Sequence, residues 1–334
     1  MSNKDFFKEL EADAIDILNT EFVYSKTPNV PSVSDTEFSF DRAVQKSGKE
    51  IETCVLYVDI RNSVNLSESM SPEDMGKVYT MFTKGVIKCA AHHNGFIRNI
   101  IGDRVMIVFP SENCFTNAVL CGISINHYCN TIMKDKCDGI TFECGIGIDY
   151  GRMNVIKVGI PKQGSEGYDN KNLAWSGKPA NIASRLTDLA KKKGNPSQIE
   201  VKYHKRNLFE GLDIGFFGLG GSSRLASRMP RRQEREPKPY FDEVSTEVCS
   251  LEEFSNKISK VGDSMLYDSG KYVSHKTIEK KSLPAILMTK EVYDGYAAAN
   301  STRKSVIKKY WKEIEYDVKN YNGSLYGSDL FWIL

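Results

Sequence analysis

The sequence predicts a mixed α/β domain with a mostly antiparallel sheet, and three observations predict it. The first is "ETCVLYVDI", residues 52–60, a short β-branched and apolar run of strand length. The second is "SPEDMGKVYTMFTKGVIKCAAHH", residues 71–93. It opens with Ser71 as an N-cap, Pro72 in the first turn and the acids Glu73 and Asp74 at the positive helix end. Met75, Val78, Tyr79, Phe82 and Val86 then recur at the helical period. The third is "GFIRNIIGDRVMIVF", two apolar strands around Gly102-Asp103, a two-residue hairpin signal. "CFTNAVLCGISINHYCNTIMKD" continues as a helix and "TFECGIGIDYG" as a strand. Strand, helix, two-strand hairpin, helix, strand is the split βαββαβ order of ferredoxin-like folds.

Around this unit the chain is less regular. Residues 4–18 read as a short amphipathic helix, and "YSKTPNVPSVSD" as an extended linker, so 1–47 form a lead-in. The core spans 48–194. Its last segment, "NLAWSGKPANIASRLTDLAKKKG", starts as a loop, turns helical near Pro179 and ends in lysines before Gly194. Residues 195–282 read as an insertion, partly flexible and a candidate sensor. They carry clustered Gly and then Arg224, Arg228, Arg231, Arg232 and Arg235. Such a cluster is more often a solvated loop than a phosphate site. Residues 283–334 resume strand then helix and finish in a hairpin around Asn322-Gly323. They are either closing elements of the core or a separate C-terminal part.

Composition excludes several classes. The 334 residues are 40% hydrophobic and 26% charged, with net charge +2, so nothing global points to nucleic acid. The N-terminus lacks an apolar signal region, and no run approaches the ~18 apolar residues of a membrane span. A cytoplasmic location with reduced thiols is the expectation. The eight cysteines form no CxxC pair. Cys114, Cys121, Cys129, Cys137 and Cys144 suit core packing better than metal binding.

Two acids remain odd. Asp59 and Asp103 sit inside apolar runs where a buried carboxylate is costly. Taken singly, each is an ordinary turn or cap residue. In a ferredoxin-like sheet, however, the first strand and the hairpin are neighbours. The two carboxylates then face one pocket, suited to Mg²⁺, which takes oxygen ligands from one or two carboxylates plus substrate phosphates. The loop "IRNSVN" is placed to offer backbone N–H groups to phosphate.

"YVDIRNSVNLSE" resembles the "FxDIxxST" signature of class III nucleotidyl cyclases, and "NIIGDRVMIVF" their "KxxGDxxxxxF" hairpin. "GIGIDYGRMNVIKVG" and "WSGKPANIASRLTDLA" resemble the family's next two segments, in order. "AILMTKEVYDGY" and the final hairpin resemble its closing elements. The resemblance implies a cyclase homology domain that converts a nucleoside triphosphate to its 3′,5′-cyclic monophosphate and pyrophosphate. It implies two divalent cations, Mg²⁺ or Mn²⁺, on Asp59, Asp103 and the Ile60 carbonyl. Asn181 matches the ribose-orienting asparagine, and Arg185 the arginine that steadies the triphosphate. Lys319, in "DVKNY", matches loosely the lysine that reaches the phosphates. The family's sites lie across a head-to-tail homodimer. This chain carries both half-sites, so a homodimer would hold two equivalent sites.

The base-reading positions depart from the family. Asn99 stands where adenylyl cyclases have Lys, and Ala174 where they have Asp or Thr; guanylyl cyclases use Glu and Cys there. Ala174 offers no side-chain hydrogen bond, whereas the Asn99 amide both donates and accepts. Asn62 and Val64 also replace the usual Gly and Thr. These departures are similar to the pyrimidine cyclases of Pycsar antiphage defence, which make cyclic CMP or cyclic UMP for a separate effector. The readings carried forward are cytidylate or uridylate cyclase, adenylate cyclase, and a non-catalytic nucleotide-binding sensor. No GG[DE]EF string is present, which sets diguanylate cyclases aside.

Overall fold

The computed structural model describes residues 2–37, 45–137, 142–159, 171–191, 198–206, 241–268, 270–278 and 282–333. Helix α1 spans Asn3–Leu18 and buries none of its residues. Strand β1, Glu21–Lys26, pairs in parallel with the long β2, Gln45–Ile60. The predicted linker therefore begins later than expected, because its first residues complete a strand. Then come α2 (Ser63–Ser69), α3 (Pro72–His92), β3 (Phe96–Ile101) and β4 (Arg104–Val108). The Ser71 hydroxyl caps α3, accepting from the Asp74 N–H at 3.1 Å. Positive φ in the β3–β4 turn falls on Gly102, the first central residue, where a side chain would be strained.

Helix α4, Cys114–His127, runs through a π-helical turn, Tyr128–Met133, into α5, Lys134–Lys136. Next are β5 (Cys144–Gly159), β6 (Lys171–Ser176) and α6 (Lys178–Leu189). The loop expected before Pro179 is strand β6. Pairing with β5, from Asn154↔Ser176 to Gly159↔Lys171, imposes the extended form on a stretch with little strand signal of its own. Gly194 and the arginines 224–235 lie outside the described residues.

Strands β7 (Gln198–Arg206), β8 (Phe241–Ser250), β9 (Ile258–Val261), β10 (Ser264–Tyr267) and β11 (Gly270–Ile278) make a five-stranded antiparallel sheet, with α7 (Leu251–Lys257) between β8 and β9. The described residues of the stretch read as a partly flexible insertion are thus largely strand. In β7 charged or polar residues alternate with Ile199, Val201 and Tyr203, which pack with Cys249, Phe254 and Tyr267 into a small core of their own. Ser250 and Glu253 close a capping box on α7.

The chain returns as β12 (Ile286–Thr289), α8 (Lys290–Ala299), α9 (Lys304–Ile307), β13 (Lys312–Ile314) and β14 (Leu325–Ser328). The final hairpin forms, but its tip is not Asn322-Gly323. Val318 and Tyr321 bridge around Lys319-Asn320, and Asn320 takes φ 69°, which Asn tolerates. Contact density divides the chain into Met1–Lys192 with Leu283–Leu334, and Lys193–Ser282. The first unit's exit and re-entry are joined, since the Lys191 N–H donates to the Pro284 carbonyl at 2.8 Å.

The main sheet runs β13-β14-β12-β5-β2-β4-β3, and within it β5-β2-β4-β3 is the ferredoxin-like order. α3 and α4 cover one face around Leu56, Val58, Phe82, Ile107 and Ile146. Ile51, Val55, Met106, Met153 and Ala183 pack on the other, where α6 sits. Among the described residues, no helix is long and apolar enough to cross a membrane.

Asp149, 3% exposed in β5, accepts a 2.7 Å bond from the Thr289 hydroxyl. Burial pushes its carboxyl up to about 6, against the opposing pull of Thr289 and the Tyr150 N–H. The unfolded carboxyl ionises near ~3.9. Between those values the native state keeps a proton that the unfolded state has released, so stability falls as pH rises through the window. Asp149→Asn, which still accepts from Thr289, is expected to raise stability by roughly 2 kcal/mol at about pH 8 and to lose that gain below about pH 4. Urea melts across this range measure it.

Candidate active site

β2 delivers Asp59 to its C-terminal end, one residue before the buried Ile60, which pairs with Cys144 of β5. Alternation along the strand puts Asp59 on the same face as Val55 and Tyr57, the α6 face. The Gly102-Asp103 turn brings Asp103 to the same place, because β4 pairs with β2 from Val105↔Val58 onward. Burial raises the Asp103 carboxyl first. The charge of Asp59 and a hydrogen bond shared with it raise it further, while the Ser63 hydroxyl and the Asp103 backbone N–H pull it back. Asp103 Oδ2 is buried with no hydrogen-bond partner among the described residues. A buried, unpartnered carboxylate oxygen beside a second carboxylate is a hard-oxygen donor set, and it fits a divalent cation. Among the described residues no group of three or more His, Cys, Asp or Glu is placed to hold a metal. Two carboxylates suffice for Mg²⁺ when phosphates complete the shell.

Two arginines surround this pair. Arg104 donates through Nη2 to Asp59 Oδ2 at 2.7 Å and also to Asp188, and through Nη1 to Ser184 Oγ at 3.1 Å. Arg61 follows Ile60, and its guanidinium packs on Gly145, where a Cβ would overlap it. Its Nε and Nη2 are buried without a hydrogen-bond partner among the described residues. Burial lowers its pKa, while Asp59 is the leading charge that opposes this. Neither arginine was predicted. The available signal was a cation directly after each site segment, Ile60-Arg61 and Asp103-Arg104, in an otherwise apolar run.

Helix α6 carries the second set. Gly147 of β5 lets it approach, since a Cβ there would overlap the Ala183 carbonyl. The Thr187 hydroxyl lies 3.0 Å from the Tyr57 carbonyl and locks the helix to β2. Asn181 Nδ2 donates to the Gly177 carbonyl at 3.3 Å. Arg185, one turn on, donates to the carbonyl of Lys319 at the tip of the last hairpin. Arg185 and Lys319 are therefore together, through the Lys319 backbone. Arg185 turns to that hairpin and not to the aspartates, so one chain presents two separate clusters. Asn99 and Ala174 are not brought together. Asn99 is opposite Met106, whose row meets β2 at Tyr57. Ala174 is opposite Ile156, beyond the Lys49↔Val155 pair, at the other end of β2.

No family model matches the chain. It is 24% identical over 190 residues to a uridylate cyclase of Rhodovulum sp., covering 54% of this chain and 74% of that one. It is 26% identical over 207 residues to a uridylate cyclase of Gulbenkiania mobilis, covering 57% and 74%. Over about half of its length the chain is thus similar to uridylate cyclases. The solved adenylyl cyclase CyaB of P. aeruginosa overlays with a TM-score of 0.43 and 16% identity, covering 84% of this chain and 94% of that one.

The seat of α6 on β5 is testable. Gly147→Ala forces a methyl against the Ala183 carbonyl and the Thr187 N–H. Overpacking of this kind costs about 1–3 kcal/mol. The expected result is a lower melting temperature with faster amide exchange concentrated in α6.

Proposed function

We propose that this nucleotidyl cyclase acts on a pyrimidine nucleoside triphosphate, UTP before CTP, releasing pyrophosphate and the 3′,5′-cyclic monophosphate. The observation that carries the chemistry is the Asp59–Asp103 pair with its unpartnered buried oxygen. The pyrimidine reading is supported by Asn99 and Ala174, which lack the purine-reading side chains, and by relatives named uridylate cyclases. Asp59, Asp103 and the Ile60 carbonyl would hold two divalent cations, Mg²⁺ or Mn²⁺. When bound, these acidify the ribose 3′-hydroxyl and neutralise the triphosphate.

The chain's own groups do the rest. Asn181 orients the ribose. The 3′-oxygen bonds to the α-phosphorus as the bond to the bridging oxygen breaks, pyrophosphate leaves, and the hydroxyl proton passes to solvent. Arg185 offsets charge that grows on the transferring group. Its bond to the Lys319 carbonyl fixes its direction, and the Lys319 side chain, exposed at the hairpin tip, is free to meet the triphosphate. Catalysis of this type is mainly positioning and neutralisation. Two clusters in one chain support a head-to-tail homodimer in which each site takes its aspartates from one protomer and Asn181 and Arg185 from the other. A cyclic pyrimidine nucleotide made this way would serve as a messenger for a separate effector in antiphage defence.

Offering all four nucleoside triphosphates with Mn²⁺ tests the substrate. Cyclic UMP as the dominant product is expected; dominant cyclic AMP would sink the pyrimidine reading, and no pyrophosphate from any of them would sink catalysis. Asp59→Ala and Asp103→Ala should each remove activity while leaving the fold intact. Mixing Asp59→Ala with Arg185→Ala chains should restore about a quarter of wild-type activity, since half the dimers are mixed and each has one intact site. No recovery on mixing would refute the shared site.

A further inference from the structure

We propose that Arg104 is a positioning residue that sets how strongly Asp59 and Asp103 take a divalent cation and couples that event to α6. This rests on the cation reading of the two aspartates. The Arg104 fork spans three groups from two elements, Asp59 of β2 and Asp188 and Ser184 of α6. The Asp59 and Arg104 side chains are only 16% and 28% exposed, so this is not a loose surface pair. A guanidinium on Asp59 competes for the same oxygen's charge and opposes an incoming cation. Asp188, 56% exposed, draws on the same Nη2 and acts as a counterweight.

With a cation on Asp59, Arg104 would be repelled from that carboxylate, and its bonds to Asp188 and Ser184 would retain it on the helix. Arg185 is the neighbour of Ser184 on that helix, so cation loading at one site would be felt at the arginine that this protomer lends to the other site. Arg61 adds a second positive charge facing Asp59 and Asp188, but without a fork to α6. Lysine at 104 would keep the charge and lose the planar fork.

The test is Mn²⁺ binding to the full chain without nucleotide, followed by the electron paramagnetic resonance of free Mn²⁺, with folding checked by circular dichroism. Arg104→Gln is expected to tighten Mn²⁺ binding by about threefold or more, and Asp188→Asn, on the exposed side, to weaken it comparably. Arg104→Lys should bind Mn²⁺ close to wild type yet turn over slowly, its kcat falling more than its KM rises. Equal Mn²⁺ affinity in wild type, Arg104→Gln and Asp188→Asn, or a shift in the same direction for both variants, overturns the proposal. Asp59→Ala separates the two readings. If it leaves Mn²⁺ binding unchanged, the cation site itself is wrong; if it abolishes binding while the Arg104 and Asp188 variants match wild type, only the role of Arg104 fails.

Discussion

Two carboxylates side by side at the end of the central strand repel each other, and much of this unit is arranged to contain that repulsion. Asp59 cannot move away, because its strand is paired on both edges and its neighbours are fully buried. Asp103 cannot either, because a tight turn with a left-handed glycine fixes it. The repulsion is met by Arg104, Arg61 and Ser63. An acid at the end of an apolar strand and another in the adjoining turn are a stability cost unless opposite charge offsets them.

Helix α6 depends on the same place. It reaches β2 only because Gly147 offers no side chain, and it is held by Thr187 on one side and the Arg104 fork on the other. The sheet thus carries two functions at one end. It presents anions from β2 and the hairpin, and it supports a helix that presents cationic and amide groups elsewhere.

What was legible in the sequence was local. The Ser71-Pro72 cap, the Gly102-Asp103 turn and the apolar runs of β2 and β4 each carry their own signal within a few residues. The strand β6 was not legible, because "KNLAWS" becomes a strand only through its pairing with β5. The hairpin tip was misplaced because Asn-Gly is the stronger turn signal, yet the Val318–Tyr321 bridge closes earlier. The sheet of the second unit was masked by charges on its outer positions. Within the site, Asp59 and Asp103 stood out as acids among apolar residues. Arg104 did not, because its partners Ser184 and Asp188 are remote in sequence and a cation next to a turn looks solvated.

The bond from Lys191 to Pro284 has a consequence for how such a chain is put together. Where a chain leaves one unit and comes back at the same spot, the closed sheet does not record how long the detour was. The loop-closure cost of a longer excursion grows only slowly. The segment between them can therefore be exchanged, lengthened or lost over evolutionary time while the strands on either side keep their register. A core closed this way is a socket in the physical sense: its sheet sets no length for the module plugged into it.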